Sequence, residues 1–141
     1  MKFTDLDIVT QERVNELLAM HINMSTGVLK RDRYLEPLLM LPDTKQLIAL
    51  QPARGDQDVD KAYACAIDHL KAGTFSYALF SYSTKIVLAS GKTSDALKTF
   101  IFTSDGVEIS FFTPYEVKGL FAKKIRFERS VFADIKEGVL D

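Results

Sequence analysis

The chain has 141 residues, 47% of them hydrophobic and 26% charged, with a formal net charge of −1. That length suits one ordinary domain, long enough to bury about two-thirds of its unfolded surface and too short for a second independent core. The composition excludes a disordered chain, and the near-neutral charge argues against a dominant phosphate-binding surface. The lone cysteine, Cys65, rules out an intramolecular disulfide and fits a reducing cytoplasm. Met1 to Arg13 holds no apolar run of signal-peptide length, and no apolar stretch of about 18 residues predicts a transmembrane helix. The expectation is one cytoplasmic domain over 1–141 without a membrane partner.

Thr10 is read as the N-cap of a first helix over about 11–24, because Val14, Leu17, Leu18, His21 and Ile22 recur at helical spacing. Two apolar runs follow, Tyr34 to Leu41 and Gln46 to Gln51. The turn-forming Pro42-Asp43-Thr44-Lys45 between them predicts a hairpin, with Pro37 placing the first strand at an edge or shortening it. A second helix starts at Asp56 or Asp58 and stops at Gly73. Val59, Ala62, Tyr63, Ala66, Ile67 and Leu70 form its apolar stripe.

Phe75 to Tyr115 spans 41 residues and holds nine of the fifteen aromatics. It is rich in β-branched residues and broken only near Gly91 and at Ser104-Asp105-Gly106, which predicts an antiparallel meander. Phe75 to Ala89 reads as two strands or one bulged strand. Asp95 to Thr103 and Val107 to Thr113 pair through Asp105-Gly106, the strongest hairpin signal in the chain. Phe121 to Phe127 is read as a last strand, and 131–141 as a short helix or a loose tail.

These elements predict an α+β fold, a two-layer sandwich with an antiparallel meander sheet and two helices on one face, in the order α-β-β-α-β-β-β(-β). That order resembles the profilin-like and roadblock/longin-like folds. The resemblance implies a small domain that pairs with itself or binds peptides and regulators. It is carried by element order and by no motif.

Few residues point to chemistry. Cys65 and His69 are neighbours on one helix flank, but a metal needs further ligands and the chain has only one other histidine, His21. His21, on an apolar helix face, reads as a core-edge histidine. Gly91-Lys92-Thr93 lacks the earlier glycine of a phosphate loop and reads as a polar turn. Asp56, Asp58 and Asp60 alternate as in a calcium loop, but Lys61 stands where that loop needs glycine. No metal or other cofactor is predicted.

Lys118, Lys123, Lys124, Arg126 and Arg129 form a basic run interleaved with Leu120, Phe121 and Phe127. Alternation over 124–128 reads as an edge strand with a charged outer face. The rival is single-stranded nucleic acid stacking on Phe121 or Phe127, disfavoured by the net charge. Lys30-Arg31-Asp32-Arg33 reads as a solvated helix end.

The functional expectation rests on aromatic surplus. If both helices cover one sheet face, Phe80 and Tyr82 on the other must meet water, a ligand or another subunit. The residues expected at that contact are Tyr77, Phe80, Tyr82, Phe100, Phe102 and Tyr115. A non-catalytic interaction or scaffold domain acting as a homodimer is the leading reading. The alternatives are a small-molecule binding domain with its pocket on the aromatic sheet, and an enzyme whose site is dispersed in sequence.

Overall fold

The computed structural model describes residues 1–50, 59–121 and 123–141. It is an α+β fold with two helices and a seven-stranded antiparallel sheet curled into a half-barrel. Helix α1 covers Ile8–Asp32 and α2 covers Val59–Ala72. The strands are β1 (Leu38–Leu41), β2 (Gln46–Ala49), β3 (Tyr77–Val87), β4 (Thr93–Thr103), β5 (Glu108–Lys118), β6 (Lys124–Phe127) and β7 (Val131–Lys136). Their spatial order is β2-β1-β3-β4-β5-β6, with β7 sharing the free side of β5 beside β6.

The meander is the frame. β3, β4 and β5 each run 11 residues, so Phe75 to Ala89 contributes one strand and Ser83-Thr84 is not a turn. The β4–β5 connection is the Asp105-Gly106 turn. Gly106 takes φ +85°, and the Thr103 and Val107 backbones close the loop at 2.9 Å. Pro37 shortens β1 to four residues without putting it at an edge, since β1 pairs with both β2 and β3.

Two local expectations change. The N-cap of α1 is Asp7, whose carboxylate accepts from the Thr10 backbone N–H at 2.7 Å and from the Thr10 hydroxyl at 2.9 Å. The helix then runs past Met24 to Asp32, because burial of Ser25 and Leu29 outweighs the roughly 1 kcal/mol that Gly27 costs inside a helix. Val131–Lys136 is a strand rather than a helix or loose tail. Phe132 packs edge-on against Phe111 (ring centroids 6.0 Å apart), Ile135 is buried, and Val139 N–H bonds the Gly106 carbonyl at 3.1 Å. The expected caps Asp56 and Asp58 lie outside the described residues.

The larger correction concerns the helices. They do not share a face. In the β3–β4 register Leu79 faces Ile101, whereas Ala78 faces Phe102 and Phe80 faces Phe100. Alternation sends these sets to opposite sides. Val14, Leu17 and Leu18 of α1 pack with Leu79, Ile101, Ile109 and Phe111. Ala62, Ala66, Ile67 and Leu70 of α2 pack with Leu39, Ala78, Phe80 and Phe102. Both faces of the strands are therefore apolar and both are covered from within the chain.

The covers differ in length. At 25 residues α1 is about 37 Å long, matching an 11-residue strand of about the same length. Its first half lies on Leu79 and Ile101, and Leu29 near its end packs on Leu97 and Tyr115. At 14 residues α2 reaches only about 21 Å. The cluster beneath it ends at Tyr82 and Phe100. That face stays open toward the β3–β4 and β5–β6 turns.

Phe80 is fully buried under α2. Phe80→Lys should abolish folding, read as loss of helical and strand ellipticity, while Phe80→Ala should cost about 3–5 kcal/mol in denaturant unfolding. A folded Phe80→Lys protein would contradict this placement. At the β4–β5 turn, Gly106→Val should cost about 1–3 kcal/mol, because the positive φ strains any branched residue. A neutral result there would show that the turn tolerates another backbone conformation.

Candidate functional site

The residues expected at a contact surface are distributed over three environments. Phe80 and Phe102 are core beneath α2. Tyr82 and Phe100 are half-buried at the rim of that core, their rings stacked 6.4 Å apart. Tyr77 lies on the α1 face, half-buried, with the Arg13 guanidinium 5.9 Å from its ring centre. Tyr115 is buried on the α1 face, 3% exposed. The structure brings Phe80, Tyr82, Phe100 and Phe102 together and keeps Tyr77 and Tyr115 apart from them. The burial that required a second subunit is thus supplied by α2.

Tyr115 is a latch. Its hydroxyl donates to the Arg33 carbonyl at 3.1 Å and meets the Ser83 hydroxyl at 3.0 Å. Ser83 in turn accepts the Leu35 N–H at 2.6 Å. These bonds tie the chain leaving α1 to β3 and β5. Burial pushes the Tyr115 phenol upward, which suits a structural hydroxyl better than a titrating one.

A buried serine–histidine contact also exists, and its burial keeps it from acting on a substrate. His21 Nε2 lies 2.8 Å from the Ser81 hydroxyl, which also contacts the Lys98 carbonyl at 3.1 Å and the Thr99 hydroxyl at 3.3 Å. His21 Nδ1 lies 3.5 Å from the Ser25 hydroxyl. His21 and Ser81 are 1% and 2% exposed, out of reach of any substrate.

Tyr63 of α2 donates a short hydrogen bond to the buried Glu108 carboxylate of β5, clamping α2 to the sheet. Burial first, then Glu108, drives the Tyr63 phenol far upward. Beside it, Lys98 Nζ sits 3.8 Å from the centre of the Phe112 ring and 5.2 Å from that of Phe100. Burial lowers the Lys98 ammonium, and the Glu108 charge partly restores it. Cys65 and His69 are both exposed. Among the described residues, no group of three or more His, Cys, Asp or Glu could hold a metal.

The surface with unspent chemistry is the open end of the sheet. Asp95 faces Tyr115 in the register, so the β3–β4 and β5–β6 turns lie side by side there. The β5–β6 turn carries Leu120, 81% exposed, and Phe121, fully exposed, next to Gly119 at φ +93°. Val87, 71% exposed, ends β3 just before the β3–β4 turn. Segments 85–95 and 114–129 hold seven cations (Lys85, Lys92, Lys118, Lys123, Lys124, Arg126, Arg129) against Asp95, Glu116 and Glu128. That is +4 in a chain of net −1.

Three of these cations are loosely paired at the surface, Lys85 with Asp95 (3.6 Å), Lys118 with Glu116 (3.8 Å) and Arg126 with Glu128 (3.5 Å). Among the described residues, Lys92, Lys123, Lys124 and Arg129 have no ion pair. A cleft of about 850 Å³ opens between the β3–β4 turn and the segment 126–131, where Arg33, Lys92, Arg126 and Arg129 stand among Asp95, Glu116 and Glu128. Arg33, the left-handed C-cap of α1, also donates to the Gly119 carbonyl at 3.5 Å, tying the helix end to the apolar turn.

The basic run expected to form a charged edge strand does so, with Lys124 and Arg126 exposed and Ile125 and Phe127 turned inward. The exposure of Leu120 and Phe121 is the feature that sequence reasoning missed. The signal available was two large apolar residues following a glycine at the tip of a lysine-flanked turn. No protein-family model, curated protein or solved structure matches this chain. The likeness in element order to profilin-like and roadblock-like folds thus gains no support from them.

The pH dependence of stability follows from His21. Burial lowers its folded pKa to about 4 from an ordinary 6.5. Between these values the unfolded chain binds more protons, so stability is full above pH 6.5 and is lost as pH falls toward 4. The loss should total roughly 3 kcal/mol, since each tenfold drop in proton affinity is worth about 1.4 kcal/mol. Urea midpoints across this range should show the slope in the native chain and a weaker one in His21→Gln. An unchanged slope in that variant would assign the effect to other groups.

Proposed function

We propose that the chain is a non-catalytic interaction domain that works through the open end of its sheet, at the β3–β4 and β5–β6 turns. The observation that carries this reading is the exposure of Leu120 and Phe121. Burying a large apolar side chain is worth roughly 1.5–3 kcal/mol, and adjacent leucine and phenylalanine in water forgo most of it. Elsewhere the polar groups with catalytic potential (His21, Ser81, Tyr115, Tyr63) are engaged in holding elements together. A homodimer, the leading expectation from sequence, loses its motivation at Phe80 and would have to be built from these turns. A small-molecule reading is favoured by a separate observation, the cleft of mixed charge between the β3–β4 turn and segment 126–131, and moves from the aromatic sheet to that cleft.

A photo-crosslinking residue placed at Phe121 tests the interaction reading. In cell extract it should yield discrete adducts that are absent when the same residue replaces Val9, which is 74% exposed at the start of α1. Equal, diffuse labelling from both positions would overturn the proposal.

A further inference from the structure

We infer that the open end of the sheet docks on an anionic lipid bilayer, with Leu120 and Phe121 entering the interface and the surrounding lysines contacting the headgroups. The inference rests on the interaction reading above and names its partner. Three observations select this occupant.

The first is shape. Leu120 and Phe121 are consecutive at a turn, 81% and fully exposed, and so form a convex knob. A protein partner must offer a preformed pocket for such a knob. A fluid interface accommodates it without one.

The second is charge. Lys118, Lys123 and Lys124 surround the knob, and Lys92 stands on the neighbouring turn beside exposed Val87. The local +4 is opposite in sign to an anionic leaflet. Each lysine or arginine near such a surface contributes roughly five-fold to partitioning. A symmetric contact between two copies through the same turns would instead set +4 against +4, which disfavours self-association there.

The third is placement. The knob projects from the end of the sheet that α2 leaves open, and its base is tied to the α1 C-cap through Arg33. The nearby cleft holds Asp95, Glu116 and Glu128 beside its cations and includes none of the described residues of 118–124, so the headgroup contact falls to the lysines around the knob. Such a contact needs no spanning helix. Among the described residues, no helix is long and apolar enough to cross a membrane. Surface docking departs from the sequence expectation of no membrane partner, which rested on the lack of such a helix.

The chain contains no tryptophan, so Phe121→Trp supplies a single reporter at the knob. With phosphatidylcholine vesicles containing phosphatidylserine, its emission should shift to the blue and the protein should float with the vesicles. With phosphatidylcholine alone it should do neither. Binding should weaken steeply as salt shortens the Debye length toward about 3 Å near 1 M. Leu120→Ser/Phe121→Ser should lower partitioning by about a hundred-fold or more, the apolar contribution of two inserted side chains. Lys118→Gln/Lys123→Gln/Lys124→Gln should lower it by roughly a hundred-fold. All variants should keep wild-type circular dichroism, since the altered side chains sit at a surface turn.

Failure to bind anionic vesicles overturns the inference, as does binding that survives both sets of substitutions. Binding of a single-stranded oligonucleotide in place of vesicles overturns it as well, as does self-association through the turns. Discrete protein adducts from position 121 without vesicle binding would sink the lipid inference and leave the interaction reading standing. Absence of both would sink the two together.

Discussion

Everything in this fold follows from three adjacent 11-residue strands that are apolar on both faces. Side chains alternate along a strand, so a strand reading Tyr-Ala-Leu-Phe over Tyr77–Phe80 drives one set to each side. Antiparallel sheets often leave one face to water. This sheet cannot, because Leu79, Ile101 and Ile109 on one side and Phe80 and Phe102 on the other are all fully or almost fully buried. One helix must lie on each face. The chain meets that requirement by placing α1 before the β1–β2 hairpin and α2 after it. The mismatch between about 37 Å of α1 and about 21 Å of α2 leaves part of one face uncovered, at the end where charge and exposed apolar side chains gather.

What was legible in the sequence was local. The Asp105-Gly106 turn requires a residue at positive φ, and Gly106 at +85° supplies it. Turn chemistry and two-residue alternation were enough to place β3, β4 and β5. The α2 stripe was equally plain, and Ala62, Ala66, Ile67 and Leu70 are its buried face. The long-range relations were not legible. Alternation shows that Ala78 and Phe80 oppose Leu79, but nothing local says which helix covers which set. An aromatic set that seems to demand a partner is therefore covered by α2 instead. β7 escapes a sequence reading because only Phe132 and Ile135 of its six residues turn inward, and a bulge at Ser110/Phe111 shifts its pairing with β5.

Polar residues in the interior illustrate a different limit. A histidine on a helix, or a tyrosine in a meander, carries no statement about its hydrogen-bond partners. Those partners are distant in sequence. Ser81 lies 60 residues from His21, and the burial of both makes a pair of catalytic type a structural one. Tyr115 reaches back 82 residues to the Arg33 carbonyl, and Tyr63 reaches 45 residues forward to Glu108. Each bond joins a helix or its end to the sheet. The polar core thus fixes where the two helices sit, and its acid sensitivity through His21 is a consequence of that role.

The basic run shows how one pattern can hold two meanings. Ile125 and Phe127 turn inward against Tyr115 and Leu97, so half of its apolar residues serve the core. Leu120 and Phe121 cannot do so, because the turn that reverses β5 into β6 carries them beyond the last paired residues, Lys118 and Lys124. Lysines on an edge strand discourage pairing with foreign strands. On the lipid-docking proposal, lysines flanking an exposed phenylalanine at a turn do something else, since they would draw that side chain toward an anionic surface. The same residues can serve both ends, because the edge faces sideways along the sheet whereas the turn faces out from its end. On the proposed docking, charge would add orientation. With +4 over these segments against −5 over the rest of the chain, an anionic surface would favour the knob-first approach before any apolar contact forms.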